Sequence, residues 1–214
     1  MPIFNFGNRQ VLFLHIPKAG GSSITKWLSE YSDTSFFRPR AIAPFSIPPQ
    51  HLRWRDFDYL LNNPTFDYAF AVVRNPYERL ESEYFWIHRN AKAQGKPWDD
   101  FNSWVERQIG AVRENSFHAS NHLCTQVSFL ADPVEVFQLE DGMEKIIVRI
   151  ADILKIPPPN MILHENARSG EGPALTWSGD TINLVRDFYE ADFETFGYDP
   201  DGRTITVGST RVHS

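Results

Sequence analysis

The sequence predicts an α/β fold: a single domain over residues 1–214 with a mostly parallel central sheet flanked by helices. Three observations predict it. An apolar run, Val11-Leu12-Phe13-Leu14, passes through a glycine turn into a helical pattern. A second run, Tyr68 to Val73, meets Asn75-Pro76 and another helical pattern. Apolar runs without alternation suit strands buried on both faces, and strands that alternate with helices build one layered sheet. Finally, the 214 residues suffice for one substantial core, with no repeat and no linker rich in Gly, Ser or charge to divide it.

The first strand leads into His15-Ile16-Pro17-Lys18-Ala19-Gly20-Gly21-Ser22-Ser23. Gly20 and Gly21 allow a ligand close to the backbone. The helix that opens there offers free N–H groups and a positive dipole end, which favour phosphate or sulfate. Ser22 and Ser23 either cap that helix or donate to ligand oxygens, and Lys18 adds a positive charge at the rim. The order differs from a Walker A loop, in which lysine follows the glycines. The alternative is a plain strand–turn–helix corner with an exposed lysine.

Residues 33–50 are proline-rich with few helix signals, and read as a flap beside the site or as a rigid surface loop. His51 follows the stiff Ile47-Pro48-Pro49-Gln50 stretch and precedes a helix beginning within Leu52 to Phe57. The second strand ends at Arg74. Asn75 reads as an N-cap and Pro76 as the first helical residue, with Tyr77, Leu80, Tyr84 and Ile87 as the apolar stripe. Arg74 thus falls at the carboxyl end of a strand, where open α/β sheets bind ligands. Ser82 lies about two turns into the helix, off the stripe. The two suit a second phosphate, the arginine through a charge-assisted fork; the alternatives are an Arg74–Glu78 ion pair and a solvated serine. His88, on the same helix, is expected to face solvent or acceptor.

A helix is expected over 98–109 and a strand over 134–139. An amphipathic helix follows over 141–154, with Met143, Ile146, Ile147, Ile150 and Leu154 inward and a stop at Pro157-Pro158-Pro159. His118, His122 and Gln126 lie four apart, so His122 and Gln126 would share a helix face. They either line an acceptor pocket or hydrogen-bond within the fold. No glutamate follows His118 as in the zinc-protease motif, and no third ligand is evident, so no metal is expected. The last helix is expected over 178–196, with Ile182, Val185, Phe188 or Tyr189, and Phe193 inward and Asp180 as cap.

Two strand–loop–helix anion sites imply a ligand with two separated anionic groups. In this the sequence resembles the sulfotransferases that use 3′-phosphoadenosine-5′-phosphosulfate (PAPS), and most nearly the bacterial relatives of Golgi carbohydrate sulfotransferases of the heparan 2-O and chondroitin type. His15 to Ser23 is similar to their 5′-phosphosulfate loop, and Arg74 to Ser82 to their 3′-phosphate element. The resemblance covers most of the chain and implies the P-loop-NTPase-like sulfotransferase fold. It implies that Lys18 contacts the 5′-phosphosulfate and that Ala19, Gly20, Gly21, Ser22 and Ser23 wrap the 5′-phosphate. Arg74 and Ser82 would bind the 3′-phosphate, with Arg168, in the polar loop His164 to Gly170, near the nucleotide. The family's base is a histidine between the two motifs, and His51 is the only histidine between Ser23 and Arg74; imidazole titrates in the right range. A histidine, a short gap and a glutamine also recur in the family, matching His122 and Gln126 as acceptor-side residues.

The implied reaction is sulfuryl transfer to a hydroxyl by in-line displacement, with the nucleotide 3′,5′-bisphosphate (PAP) as product and no metal. Positioning and electrostatics then carry most of the catalysis. The rivals are a nucleotide-dependent small-molecule kinase and a nucleotide-binding module without chemistry.

The net charge of −6 argues against nucleic acid or heparin as partner. It favours a sugar or glycoconjugate hydroxyl, or a small metabolite. One cysteine, Cys124, excludes an internal disulfide and fits a reducing compartment. No run of the sequence is long and apolar enough to span a bilayer. The expectation is a cytosolic, bacterial enzyme, located where PAPS is made.

Overall fold

The chain begins with a hairpin. Strand β1 (Ile3–Phe6) turns through Gly7-Asn8 into β2 (Arg9–Leu14), pairing Ile3 with Leu12 and Phe6 with Arg9. Gly7 takes φ 66°, the left-handed value that a two-residue hairpin turn demands at its first position. The computed structural model describes residues 1–37, 47–92, 95, 97–160, 174–201, 204–207 and 210–213. Residues 38–46 of the 33–50 stretch, and the whole 164–170 loop with Arg168, therefore lie outside the described residues.

Two compact units make up the chain: Met1–Arg74 with Phe117–Glu165, and Asn75–Ser116 with Asn166–Ser214. The first holds a five-stranded sheet in the order β3-β1-β2-β4-β5. Strand β3 (Asp33–Ser35) runs antiparallel to β1, while β4 (Tyr68–Val73) lies parallel to β2 and β5 (Glu135–Gln138) parallel to β4. The sheet is therefore mixed rather than mostly parallel. The reason is local: strands joined by two residues can only pair antiparallel, and that adds β1, and β3 beyond it, to the parallel β2–β4–β5 half.

The apolar runs of β2 and β4 are the buried center of this unit. Val11, Leu12, Phe13 and Leu14 and Phe70, Ala71, Val72 and Val73 are all buried. Phe13 stacks on Phe70 with centroids 4.7 Å apart. Helix α1 (Gly21–Ser29) buries Ile24, Trp27 and Leu28, and the Trp27 indole N–H donates to the Pro157 carbonyl at 3.1 Å. Helix α2 (Trp54–Leu61) buries Phe57.

In the second unit, α3 (Pro76–Lys92) opens as expected, with the Asn75 carboxamide oxygen accepting from the Tyr77 N–H at 3.0 Å. Helix α4 spans Phe101–Glu114, starting three residues later than expected because Asp100 caps it by accepting from the Ser103 N–H at 2.9 Å. In the first unit, α5 (Met143–Leu154) buries every residue of the expected stripe. The last helix is two: α6 (Gly179–Phe188) and α7 (Glu190–Phe196), broken at Tyr189. Ser178, not Asp180, is the cap, accepting from the Thr181 N–H at 3.1 Å. Tyr189, rather than Phe188, is the inward ring. A terminal hairpin, β6 (Thr204–Val207) and β7 (Thr210–His213), follows.

Two polar residues of α3 are structural. Arg79 and Asp192 are both buried, with Nη1 3.8 Å from Oδ2, and the guanidinium lies 5.6 Å from the Tyr189 ring center. His88 does not face solvent. It is buried, donates from Nδ1 to the Tyr84 carbonyl at 2.8 Å and stacks on Trp98 at 4.9 Å, so the expectation of an exposed histidine is corrected.

Candidate active site

The loop after β2 uses left-handed backbone at two points. Lys18 takes φ 69° and Gly20 takes φ 81°, after which α1 begins. A lysine in that region costs free energy that glycine would not, and such strain concentrates at functional positions. No side chain caps α1, and its first turn carries no acid. Ser22 is exposed and Ser23 half-buried at that end.

The two glycines are small for a reason that the sequence did not reveal. A Cβ on Gly21 would lie 2.3 Å from Cδ2 and Nε2 of His15, and one on Gly20 would lie 2.4 Å from Cε of Met143. Each glycine thus makes room for a side chain of its own unit. The Met143 methyl can move aside; the buried imidazole of His15 cannot do so easily. Gly21→Ala is therefore expected to destabilize the fold by about 1–3 kcal/mol, the usual cost of overpacking, measurable by denaturant unfolding.

Strand β4 lies beside β2, with Leu14 paired to Ala71, so Arg74 follows the neighboring strand out of the sheet at the same edge. Its Nη1 lies 3.5 Å from the Lys18 carbonyl oxygen. Gln126 holds its main chain at both ends. The Arg74 N–H donates to Oε1 at 2.9 Å, and Nε2 donates to the Arg74 carbonyl at 2.8 Å. Gln126 is fully buried, so of its two expected roles the amide follows the one within the fold. It does not share a helix face with His122. The two occupy separate short turns, His118–Asn121 with His122 at its end and Gln126–Phe129. Ser82 is half-buried in α3 of the second unit.

His51 closes the 3₁₀ turn Pro49–His51 and is buried. Its ring meets those of His15 (centroids 5.6 Å apart, 90°) and His122 (4.7 Å, 78°) edge to face. The Gln50 amide nitrogen lies 3.0 Å from Nε2. With that amide donating, Nε2 is the acceptor and the proton sits on Nδ1, which is buried and makes no hydrogen bond. Among the described residues no group of histidine, cysteine or carboxylate side chains is arranged to hold a metal.

The sulfotransferase family model matches residues 2–199, nearly the whole chain, a range that includes the glycine loop, His51 and the Arg74–Ser82 stretch. The chain belongs to the sulfotransferase family. No curated protein and no solved structure matches it. Among the described residues of this sulfotransferase, no helix is long and apolar enough to cross a membrane.

Burial sets the charge state of His15 and His51. Desolvation, with help from the amino terminus and His122, pushes His15 down to about 3. Desolvation, then His122, His15 and the amino terminus, holds His51 well below its ordinary value. Both are neutral at pH 7. The same shifts make a stability prediction for the sulfotransferase. In the unfolded chain both rings titrate near 6.5, so below that pH the unfolded state binds protons that the native state refuses. The contribution is complete above about pH 6.5 and is lost as pH falls, by up to about 1.4 kcal/mol per unit for each histidine. Urea midpoints measured from pH 7.5 to 5 are expected to fall accordingly, and less steeply for His15→Phe.

Proposed function

We propose that this sulfotransferase moves a sulfuryl group from PAPS to a hydroxyl of a carbohydrate, glycoconjugate or small-molecule acceptor. The observation that carries this reading is the shared sheet edge at which Lys18, the uncapped start of α1 and Arg74 meet. Main-chain N–H groups, a lysine and an arginine are a donor set suited to phosphate and sulfate oxygens. When bound, PAPS supplies an activated sulfuryl group whose bond to the 5′-phosphate oxygen breaks as the acceptor oxygen attacks.

In this reading Lys18 stabilizes negative charge growing on the bridging oxygen, and the main chain of Ala19 to Ser23 holds the 5′-phosphate. Arg74 binds the 3′-phosphate, its backbone fixed by Gln126; by the motif Ser82 adds a hydroxyl, and Arg168 serves the nucleotide from its polar loop. His51 takes the acceptor proton at Nε2, the lone pair to which the Gln50 amide now donates. His122, half-exposed beside it, borders the acceptor. The charge of −6 favors a neutral sugar over a polyanion. We place the reaction in the cytosol of a bacterium, in keeping with a single buried free cysteine.

Calorimetry with adenosine 3′,5′-bisphosphate, 5′-AMP and ATP·Mg²⁺ tests the reading. The bisphosphate is expected to bind well beyond AMP. Arg74→Ala should weaken it by about 1.5–3 kcal/mol, the scale of a hydrogen bond to a charged group, and leave AMP unchanged. Preference for ATP·Mg²⁺ would favor the kinase instead. Bisphosphate binding with no transfer to any acceptor would favor a module without chemistry.

A further inference from the structure

Ala119, Ser120 and Asn121 take φ values of 49°, 55° and 66° in succession, and none is glycine. Left-handed backbone is costly for such residues and persists only where the surroundings over-determine it. The turn brings the fully buried Asn121 side chain to the base loop. Asn121 Nδ2 donates to the His51 carbonyl at 2.9 Å, and Oδ1 lies 3.6 Å from the Cys124 thiol sulfur. The next residue, His122, sets its ring against that of His51. Just before the turn, Phe117 lies 4.8 Å under the Arg53 guanidinium. One stretch therefore grips residues 51–53 at three points, and farther along, through Gln126, it holds Arg74.

The base loop needs such a grip. Its 3₁₀ turn is three residues long, a length with little stability of its own, and a buried carbonyl at its end requires a donor. We propose that Asn121 is a positioning residue for sulfuryl transfer: by donating to the main-chain carbonyl of His51 it fixes where that imidazole stands. This rests on His51 being the base. The strained turn lets one short segment present a donor to the His51 carbonyl and a ring to its side chain.

Two substitutions in the full chain test it. Asn121→Gly accepts the left-handed backbone and removes only the amide. Asn121→Asp keeps the shape but places an acceptor where the donor was, and regains an O–H donor when its carboxyl protonates. Transfer from PAPS is followed as bisphosphate release in a mixed pool of mono- and oligosaccharides, beside bisphosphate affinity and thermal unfolding. Turnover of Asn121→Gly is expected to fall about 10- to 100-fold, the cost of a misplaced catalytic group, with bisphosphate affinity within about twofold of wild type. Asn121→Asp, measured as a ratio to wild type at each pH, should recover toward acid. His15, His122 and the amino terminus act on His51 in both proteins. Full turnover in either folded variant, or an Asn121→Asp ratio flat with pH, overturns the inference. His51→Ala runs in parallel. If it is inactive while Asn121→Gly is fully active, the inference alone fails; if His51→Ala is fully active, the base reading fails and takes the inference with it.

Discussion

His51→Ala is expected to lower sulfuryl transfer by about 10²- to 10⁴-fold, the usual contribution of a general base, while adenosine 3′,5′-bisphosphate binds as before. The separation follows from how the residue is held. Asn121 grips the main-chain carbonyl of His51, which alanine retains, and Pro48 and Pro49 restrict the approach to the turn. The donor loop contacts its own partners: Gly21 packs on His15, and Arg74 is fixed by Gln126. The pH profile gives an independent reading. Because burial lowers the His51 pKa, the neutral, proton-accepting ring persists into acid. The limb of kcat controlled by this group should therefore fall well below pH 6.5 rather than at it. A limb centered near 6.5 would overturn the assignment of that limb to His51.

Lys18→Ala is the second large effect, about 10²- to 10³-fold in kcat, the scale of removing one preorganized charge or donor from a developing anion. Alanine keeps the Cβ, so the left-handed backbone at φ 69° carries the same conformational cost before and after. The Arg74 guanidinium approaches the carbonyl oxygen of residue 18, which also survives. Product affinity should consequently change far less than kcat. Equal losses in the two would mean that Lys18 binds ground state and transition state alike and does not act on the bond that breaks.

What the sequence made legible was local. Both buried parallel strands, the glycine loop, the Asn75 cap and the stripe of α5 stand in the structure because each is written in consecutive residues or in one period. What escaped depends on partners distant in sequence. Gly20 and Gly21 read as room for a ligand, yet the atoms nearest their missing side chains belong to Met143 and His15. Arg79 read as one more residue of the phosphate motif, but its charge is met by Asp192. Gln126 and His122 read as helix neighbors because nothing in Ala119-Ser120-Asn121 announces a left-handed turn except the asparagine, which tolerates one. The hairpin had a signal, Gly7-Asn8, between strands too short for an apolar run to flag.

Among the described residues the mixed sheet ends at β3 on one side and β5 on the other, and both borders discourage growth. β3 has three residues, Asp33-Thr34-Ser35, polar throughout. At the far side β5 has four, and its Glu135 carboxylate is occupied by the Tyr68 hydroxyl at 2.9 Å and by Arg149 at 3.2 Å. Short, charged borders make poor templates for a strand from another molecule. The apolar β2 and β4 ladders are thus shielded from intermolecular pairing, and fibrillar association should require first stripping away one border of the sheet.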